Sequence, residues 1–386
     1  MILQAKAEFC RPLGLYLHVP FCARACDFCN FYQEAPKRQE LDRYLAGIER
    51  ELQLRPPSRP VDTVFWGGGT PSLLAAKDLE RLGRAMLAAL PQPPQEWTIE
   101  MAPSTVKADK LEVLRELGVN RISMGVQSFD PVLLDRLGRS HSPKQVYHAI
   151  ELIRAAGFDN LNLDLIFAVP GQTLDSWEAD LREALRQEPQ HLSTYCLTFE
   201  EDTALWVKLQ KGQTTKLSIE DESDYYTRAW EVLEGEGLPQ YEISNFARPG
   251  RACRHNLNTW AMHEWLAYGP SASGQFGGRR WTNAPNIDQW LQGVESGQPA
   301  EQEIVPLTPQ SLLADALVFG LRMNEGVDLA ERESRFGLPL PDALRTLFDD
   351  LTEEGLMTQE GRRVALTLEG RLLADRIGTA ILEALE

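Results

Sequence analysis

The chain has 386 residues, 43% of them hydrophobic, with 39 basic against 56 acidic side chains and a formal net charge of −17. That length permits a large core and two or three domains. The acidic balance argues against a large electrostatic footprint on nucleic acid or anionic lipid. The N-terminal stretch Met1-Ile2-Leu3-Gln4-Ala5-Lys6-Ala7-Glu8 has no long apolar run and no later segment approaches membrane-spanning length, so neither a signal peptide nor a transmembrane helix is expected and the expected compartment is the cytoplasm. Six cysteines, three of them clustered, fit a reducing compartment and a metal site better than a disulfide framework.

The first expected strand, Leu15–Val19, runs directly into Cys22-Ala23-Arg24-Ala25-Cys26-Asp27-Phe28-Cys29. Three close thiolates can hold three irons of a cubane cluster and leave the fourth iron without a protein ligand. Zinc usually takes thiolates as two pairs, and no second pair occurs, because Cys10, Cys196 and Cys253 are scattered singly. The spacing Cys-x3-Cys-x2-Cys resembles the radical S-adenosylmethionine (SAM) signature, in which the amino and carboxylate groups of SAM chelate the open iron.

Further expected strands follow at Val61–Trp66, Trp97–Met101, Arg121–Val126, Leu161–Phe167 and His191–Leu197, separated by amphipathic helix patterns. One carries Leu41, Tyr44, Leu45, Ile48 and Leu52; another carries Leu111, Leu114 and Leu117 and ends at Gly118, where a left-handed cap is expected. Ser142-Pro143 reads as a cap and first turn. Repeated strand and helix units predict a parallel sheet, open or barrel-like, with its site at the C-terminal strand ends. There lie Gly67-Gly68-Gly69-Thr70, which lets backbone amides approach a ligand, and Glu100, Gln127, Arg139 and Asp164. Each alone reads as an ordinary polar surface or capping residue. Converging, an acid, an amide and a guanidinium can bind a ribose, an adenine and a carboxylate.

Tyr16-Leu17-His18-Val19-Pro20-Phe21-Cys22, Gly67-Gly68-Gly69-Thr70-Pro71, Asn120-Arg121-Ile122-Ser123-Met124-Gly125-Val126-Gln127-Ser128-Phe129, Asp164-Leu165-Ile166-Phe167, Pro170-Gly171-Gln172-Thr173 and Tyr241-Glu242-Ile243-Ser244-Asn245-Phe246-Ala247 together resemble the oxygen-independent coproporphyrinogen III oxidase family. The resemblance implies an α/β fold, a six-unit partial (βα) barrel of radical SAM type. It implies that Cys22, Cys26 and Cys29 hold a 4Fe-4S cluster and that Tyr16, Phe28, Gly68, Gly69, Thr70, Glu100, Gln127, Arg139 and Asp164 surround SAM. The family contains true oxidases, which decarboxylate porphyrinogen propionates, and a haem-chaperone branch. Oxidases carry a fourth cysteine two positions after the third, where this chain has Phe31, and a longer N-terminal extension than the 21 residues before Cys22. Both departures point to the chaperone branch, with the oxidase as the alternative and a radical enzyme on another substrate as a distant third.

Cys253-Arg254-His255-Asn256-Leu257-Asn258-Thr259-Trp260 resembles the His-Asn-x-x-Tyr-Trp element associated with haem in that branch, with Thr259 at the tyrosine position. The resemblance implies His255 as a haem ligand; a loop histidine is more often a structural hydrogen-bonding residue, and Cys253 is an alternative ligand or a buried apolar cysteine. Past the Gly- and Asn-rich stretch from Gly269 to Pro299, Thr308-Pro309 opens a helix, two more helix patterns follow, a hairpin is expected over Leu356–Leu366 and a last helix starts at Thr367. That order suggests a small winged-helix-like α+β domain. From Pro309 onward 15 acidic residues face 8 arginines, so nucleic-acid binding is not expected and the domain reads as a cover or a docking surface.

The expected domains are thus a partial barrel over 1–237, a connecting region over 238–305 and the winged-helix-like domain over 306–386. The expected partners are haem as bound cargo or a porphyrinogen, a haem-requiring acceptor protein and an electron donor. The resemblance leaves room for a homodimer and for peripheral contact with membrane-bound partners.

Overall fold

The computed structural model describes residues 11–385; Cys10 and the stretch read for a signal peptide lie outside the described residues. Six strands alternate with helices: β1 (Leu13–Val19), β2 (Thr63–Gly68), β3 (Glu96–Met101), β4 (Arg121–Gln127), β5 (Leu161–Phe167) and β6 (His191–Cys196). Each pairs in parallel with the next. An order that never reverses has no switch point, so right-handed crossovers put every connecting helix on one face. The sheet therefore curls into an incomplete barrel with its helices outside.

These strands alternate in a way that parallel strands covered on both faces normally do not. Leu13, Leu15, Leu17 and Val19 of β1, with Ile122, Met124 and Val126 of β4, belong to the main hydrophobic core. The intervening positions bring Ser123, Asn162, Asp164, His191 and Ser193 together in one hydrogen-bonded set. The inner face is thus a polar lumen. Outside it, the helix Arg38–Leu54 buries Leu41, Tyr44, Leu45, Ile48 and Leu52, the helix Ala108–Leu117 stops at Gly118 with φ 94°, and Ser142 forms a capping box on the helix Pro143–Ala155.

The largest departure from the sequence expectation concerns 238–305, which is part of the sheet rather than a connection. β7 (Gln240–Glu242) and β8 (Asn245–Ala247) extend it beyond β6. On the other side β9 (Glu264–Tyr268) pairs in parallel with β1, and β10 (Ser273–Phe276), β11 (Arg279–Asn283) and β12 (Glu301–Pro306) continue antiparallel from it. The Gly-rich stretch is a hairpin turning through Gly277 and Gly278, both at positive φ, followed by the helix Ile287–Glu295. Glu51 fastens this addition to the barrel. Its buried carboxylate accepts the Gly269 amide at 2.8 Å, Asn283 Nδ2 at 3.1 Å and Trp290 Nε1 at 3.1 Å, so three parts of the added region satisfy one buried charge.

The C-terminal part has a core of its own, including Leu313, Leu317, Val327, Leu344, Phe348, Val364 and Ile381. Thr308 caps the helix Pro309–Gly320; the helices Leu329–Phe336 and Asp342–Glu353 follow. β14 (Met357–Glu360) and β15 (Arg363–Leu366) form the expected hairpin, with β13 (Val327–Asp328) joined to β15. The expected last helix is broken in two, Leu368–Leu372 and Ala374–Ala384. Among the described residues no helix is long and apolar enough to cross a membrane.

Candidate functional site

The cysteine loop leaves the C-terminal end of β1 and is tied down on both sides. Towards β2, Gly69 N–H donates to Val19 O at 2.9 Å and Thr70 N–H to Phe21 O at 2.8 Å. On the far side, Asp27 N–H donates to Leu137 O at 3.1 Å, Leu205 N–H donates to Asp27 O at 2.7 Å, and Lys208 Nζ meets the Asp27 carboxylate at 2.6 Å. Gly138 makes the second seam possible: at φ 70°, an added Cβ would stand 2.9 Å from the Asp27 backbone nitrogen. Phe28 packs on a small apolar cluster that includes Leu133, Leu137, Ile166 and Leu205.

The three thiols of this loop are half-buried. Burial pushes Cys22 and Cys29 up, and each senses the charge of Cys26. Arg139 Nη1 donates to Cys26 Sγ at 3.3 Å while its Nη2 donates to Gly125 O at 2.9 Å, and Thr70 Oγ1 lies 3.5 Å from Cys22 Sγ. Among the described residues no three His, Cys, Asp or Glu side chains gather around one point as ligands of a single ion do. Thiolates of a cubane each take a separate iron. Phe31, at the position of the missing fourth cysteine, is 62% exposed.

Behind the thiols the lumen holds Glu100 and Asp164. Glu100 Oε2 accepts the Gly68 amide at 3.1 Å; Asp164 accepts Asn162 Nδ2 at 2.8 Å and Ser123 Oγ at 3.2 Å. Burial, with the nearby Asp164 charge, pushes Glu100 up to about 8, and burial raises Asp164 as well. Two partly buried acids that form no ion pair among the described residues suit hydroxyl groups or a positively charged ligand. Gln127 closes β4 at φ 66°, at an irregularity in its pairing with β5. Tyr16 hydroxyl donates to His18 Nδ1 at 3.3 Å.

This arrangement fits a cluster carrying a nucleoside-bearing ligand. Among the described residues Arg139 Nε is buried without a partner. Gly69 lets the glycine run lie directly against the cysteine loop, since a Cβ there would stand 2.8 Å from the carbonyl oxygens of both Phe21 and Val19. The structure therefore brings Tyr16, Phe28, Gly68, Gly69, Thr70, Glu100, Gln127, Arg139 and Asp164 to one end of the strands, around Cys22, Cys26 and Cys29. Sequence reading passed over His18, whose Nε2 donates to Tyr32 O at 3.1 Å and whose ring burial holds near 4. It also passed over Ser123, Asn162 and Lys208. The signal for the first three was strand parity: each shares a face with an expected site residue two positions or one strand away.

His255 is not brought to this end. It lies at the opposite, N-terminal end of the strands, 6% exposed, with Nδ1 2.9 Å from Thr63 Oγ1 and its ring 5.2 Å from that of Phe65. Glu96, the first residue of β3, accepts the amides of Arg254 and His255 at 3.0 Å each and the Cys253 thiol at 3.5 Å. Trp260 packs on Phe319 of the C-terminal domain, 5.9 Å between centroids, beneath the Arg322 guanidinium at 5.2 Å. An axial ligand needs an open ring nitrogen and room for a macrocycle; this packing encloses His255 and engages Trp260 instead.

A model of the radical SAM superfamily matches residues 16–184, and one of the HemN C-terminal domain matches 307–373. The chain is 34% identical over 374 residues to the haem chaperone HemW of Bacillus subtilis, covering 95% of this chain and 98% of the relative. It is 33% identical over 380 residues to HemW of Escherichia coli, covering 95% and 97%. Among solved structures, the coproporphyrinogen III oxidase HemN of Escherichia coli, described as a radical SAM enzyme, superposes with a TM-score of 0.85 at 26% identity, covering 98% of this chain and 92% of that one.

Proposed function

The chain belongs to the HemW haem-chaperone family within the radical SAM superfamily, and from that membership we propose that it binds haem and hands it to haem-requiring acceptor proteins, carrying a 4Fe-4S cluster and SAM. The observation that carries the reading is near-complete alignment with HemW relatives, covering 95% of this chain and 96–98% of theirs. Phe31 in place of a fourth cysteine supports it. The protein is taken to be cytoplasmic, in keeping with its free described cysteines.

Cys22, Cys26 and Cys29 would hold the cluster, and Arg139 would offset its negative charge through Cys26. When bound, a cluster with SAM on its open iron supplies one-electron chemistry at the sulfonium. The chain's own part is positioning. Gly68, Gly69 and Thr70 allow close backbone approach; Glu100 and Asp164 offer partly buried acceptors for sugar hydroxyls; Tyr16, Phe28 and Gln127 line the remaining wall. The acceptor protein and the electron donor would be partners of this loaded form.

The test is paired. Anaerobically cluster-loaded protein is charged with haem and mixed with an apo-haemoprotein, following the acceptor's Soret band. The same preparation is given SAM, a strong reductant and coproporphyrinogen III, following the decarboxylated product. Transfer without decarboxylation supports the chaperone; turnover to product would make the chain an oxidase, the reading favoured by its likeness to HemN.

A further inference from the structure

The loop Ala261–Glu264 joins the helix Arg254–Trp260 to β9, where the N-terminal end of the barrel meets the helix Leu329–Phe336. Four guanidiniums collect on it. Arg335 donates to Ala261 O at 2.9 Å and Met262 O at 2.6 Å. Arg59 donates to Arg11 O and, at 3.0 Å, to Glu264 Oε2. Arg332, one turn before Arg335 and 7% exposed, reaches Glu331 Oε2 at 2.7 Å. Arg11 completes the group, and His263 lies among them: burial first, then the charges of Arg335, Arg11, Arg332 and Arg59, hold its ring at about 3.

The charges do not cancel. Two carboxylates, those of Glu264 and Glu331, stand against four guanidiniums, and the Glu331 side chain is half exposed. Further out, Asp328 caps the helix Leu329–Phe336 through the Ala330 and Glu331 amides and adds one more negative charge towards Arg332, leaving three carboxylates against four guanidiniums, while Arg363 is paired with Glu325. The hydrogen bonds do not close either. Arg332 Nε, Arg335 Nε and His263 Nδ1 are buried without a partner among the described residues. Leaving a buried donor unmade costs about 1–3 kcal/mol, more when it is charged. The C-terminal domain is acidic overall, so this inward-turned basic cluster is not a sample of its surface.

We propose that this junction binds an oxyanion, a phosphate or carboxylate group, between barrel and C-terminal domain. Arg335 and Arg59 already spend their Nη groups on Ala261 O, Met262 O, Arg11 O and Glu264, so the charge-assisted donors left for such a group are those of Arg332 and the Nε of Arg335. Neutral His263 adds a further donor in the tautomer protonated at Nδ1. The ligand would bridge the two domains, and binding would stabilise the folded chain by mass action. The proposal does not depend on the haem reading.

The experiment is titration of the full chain with inorganic phosphate, and separately with sodium acetate, against sodium chloride at matched ionic strength, by thermal unfolding and by isothermal calorimetry. One of the two oxyanions is expected to give saturable heat and a rising unfolding midpoint that chloride does not reproduce, and whichever saturates lower identifies the ligand class. Arg332→Gln is expected to weaken that binding about tenfold or more. An equal response to chloride, or full retention of the effect in Arg332→Gln, overturns the proposal. So does the absence of saturable heat in the unaltered chain, a readout that holds even if the variant fails to fold.

Discussion

Glu100 Oε2 accepts the backbone amide of Gly68 at 3.1 Å, joining the third strand's partly buried acid to the glycine run that follows the second. Its carboxyl titrates at about 8 because burial disfavours the charged form. A folded pKa above the unfolded one means that the folded state holds the proton more tightly. The associated stability is complete below about pH 4.5 and is lost as pH rises through about 8. The unfolding midpoint of cofactor-free protein is expected to fall over that window, and Glu100→Gln to flatten the fall. Asp164, also raised, titrates in the same sense, so some slope remains. Parallel curves for the two proteins would mean that Glu100 is not held protonated.

Gly69→Ala tests the close contact of the glycine run with the cysteine loop. The new methyl would press on the carbonyls of Phe21 and Val19, so either the glycine run or the cysteine loop must shift. A destabilisation of about 1–3 kcal/mol is expected, with SAM binding to cluster-loaded protein weakened alongside it. Unchanged stability and SAM affinity would show that the two segments have slack.

Cys26→Ala removes one thiolate and the acceptor of Arg139 Nη1. Iron content and visible iron–sulfur absorbance after anaerobic reconstitution are expected to collapse, with the fold intact by circular dichroism. Arg139→Gln should retain the cluster, since no ligand is lost, while weakening SAM binding. Full iron in Cys26→Ala would rule out the three-cysteine site.

How much of this was legible in the sequence depended on whether the signal was local. Position near the C-terminal strand ends exposed Glu100 and Asp164, and Gly118 announced a helix end, because each is written within a few residues. The pairing of β9 with β1 joins Leu13 to Glu264, and no window around either residue contains that information. The Gly277-Gly278 pair was a hairpin signal hidden inside a stretch read as a linker. His255 shows the same limit for a site: the residue types resemble a haem element, but which end of the barrel the element faces is decided by Glu96 on another strand.

His255→Ala follows from that placement. Losing the Thr63 contact and the packing on Phe65 is expected to cost about 1–3 kcal/mol. The Soret band and haem affinity of the variant are expected to match the unaltered protein at a temperature where both are folded. A lost Soret band with an unchanged unfolding midpoint would instead put this imidazole on haem iron.

Trp260→Ala probes the other end of the same helix. Trp260 belongs to the barrel side, yet it packs on Phe319 and beneath Arg322, both in the C-terminal domain. Aromatic pairing and cation–π contact are each worth about 1 kcal/mol beyond area burial, so the loss is expected to fall mainly on domain coupling. Because the C-terminal domain has a separate core, it need not unfold with the contact. The variant is therefore expected to split one thermal transition into two and to release a C-terminal fragment from about residue 306 under limited proteolysis. Backbone bonds between Ile243 and Arg322 and between Asn324 and Tyr241 remain, so separation should be partial. A single unshifted transition would mean that those bonds, rather than the tryptophan, hold the domains together.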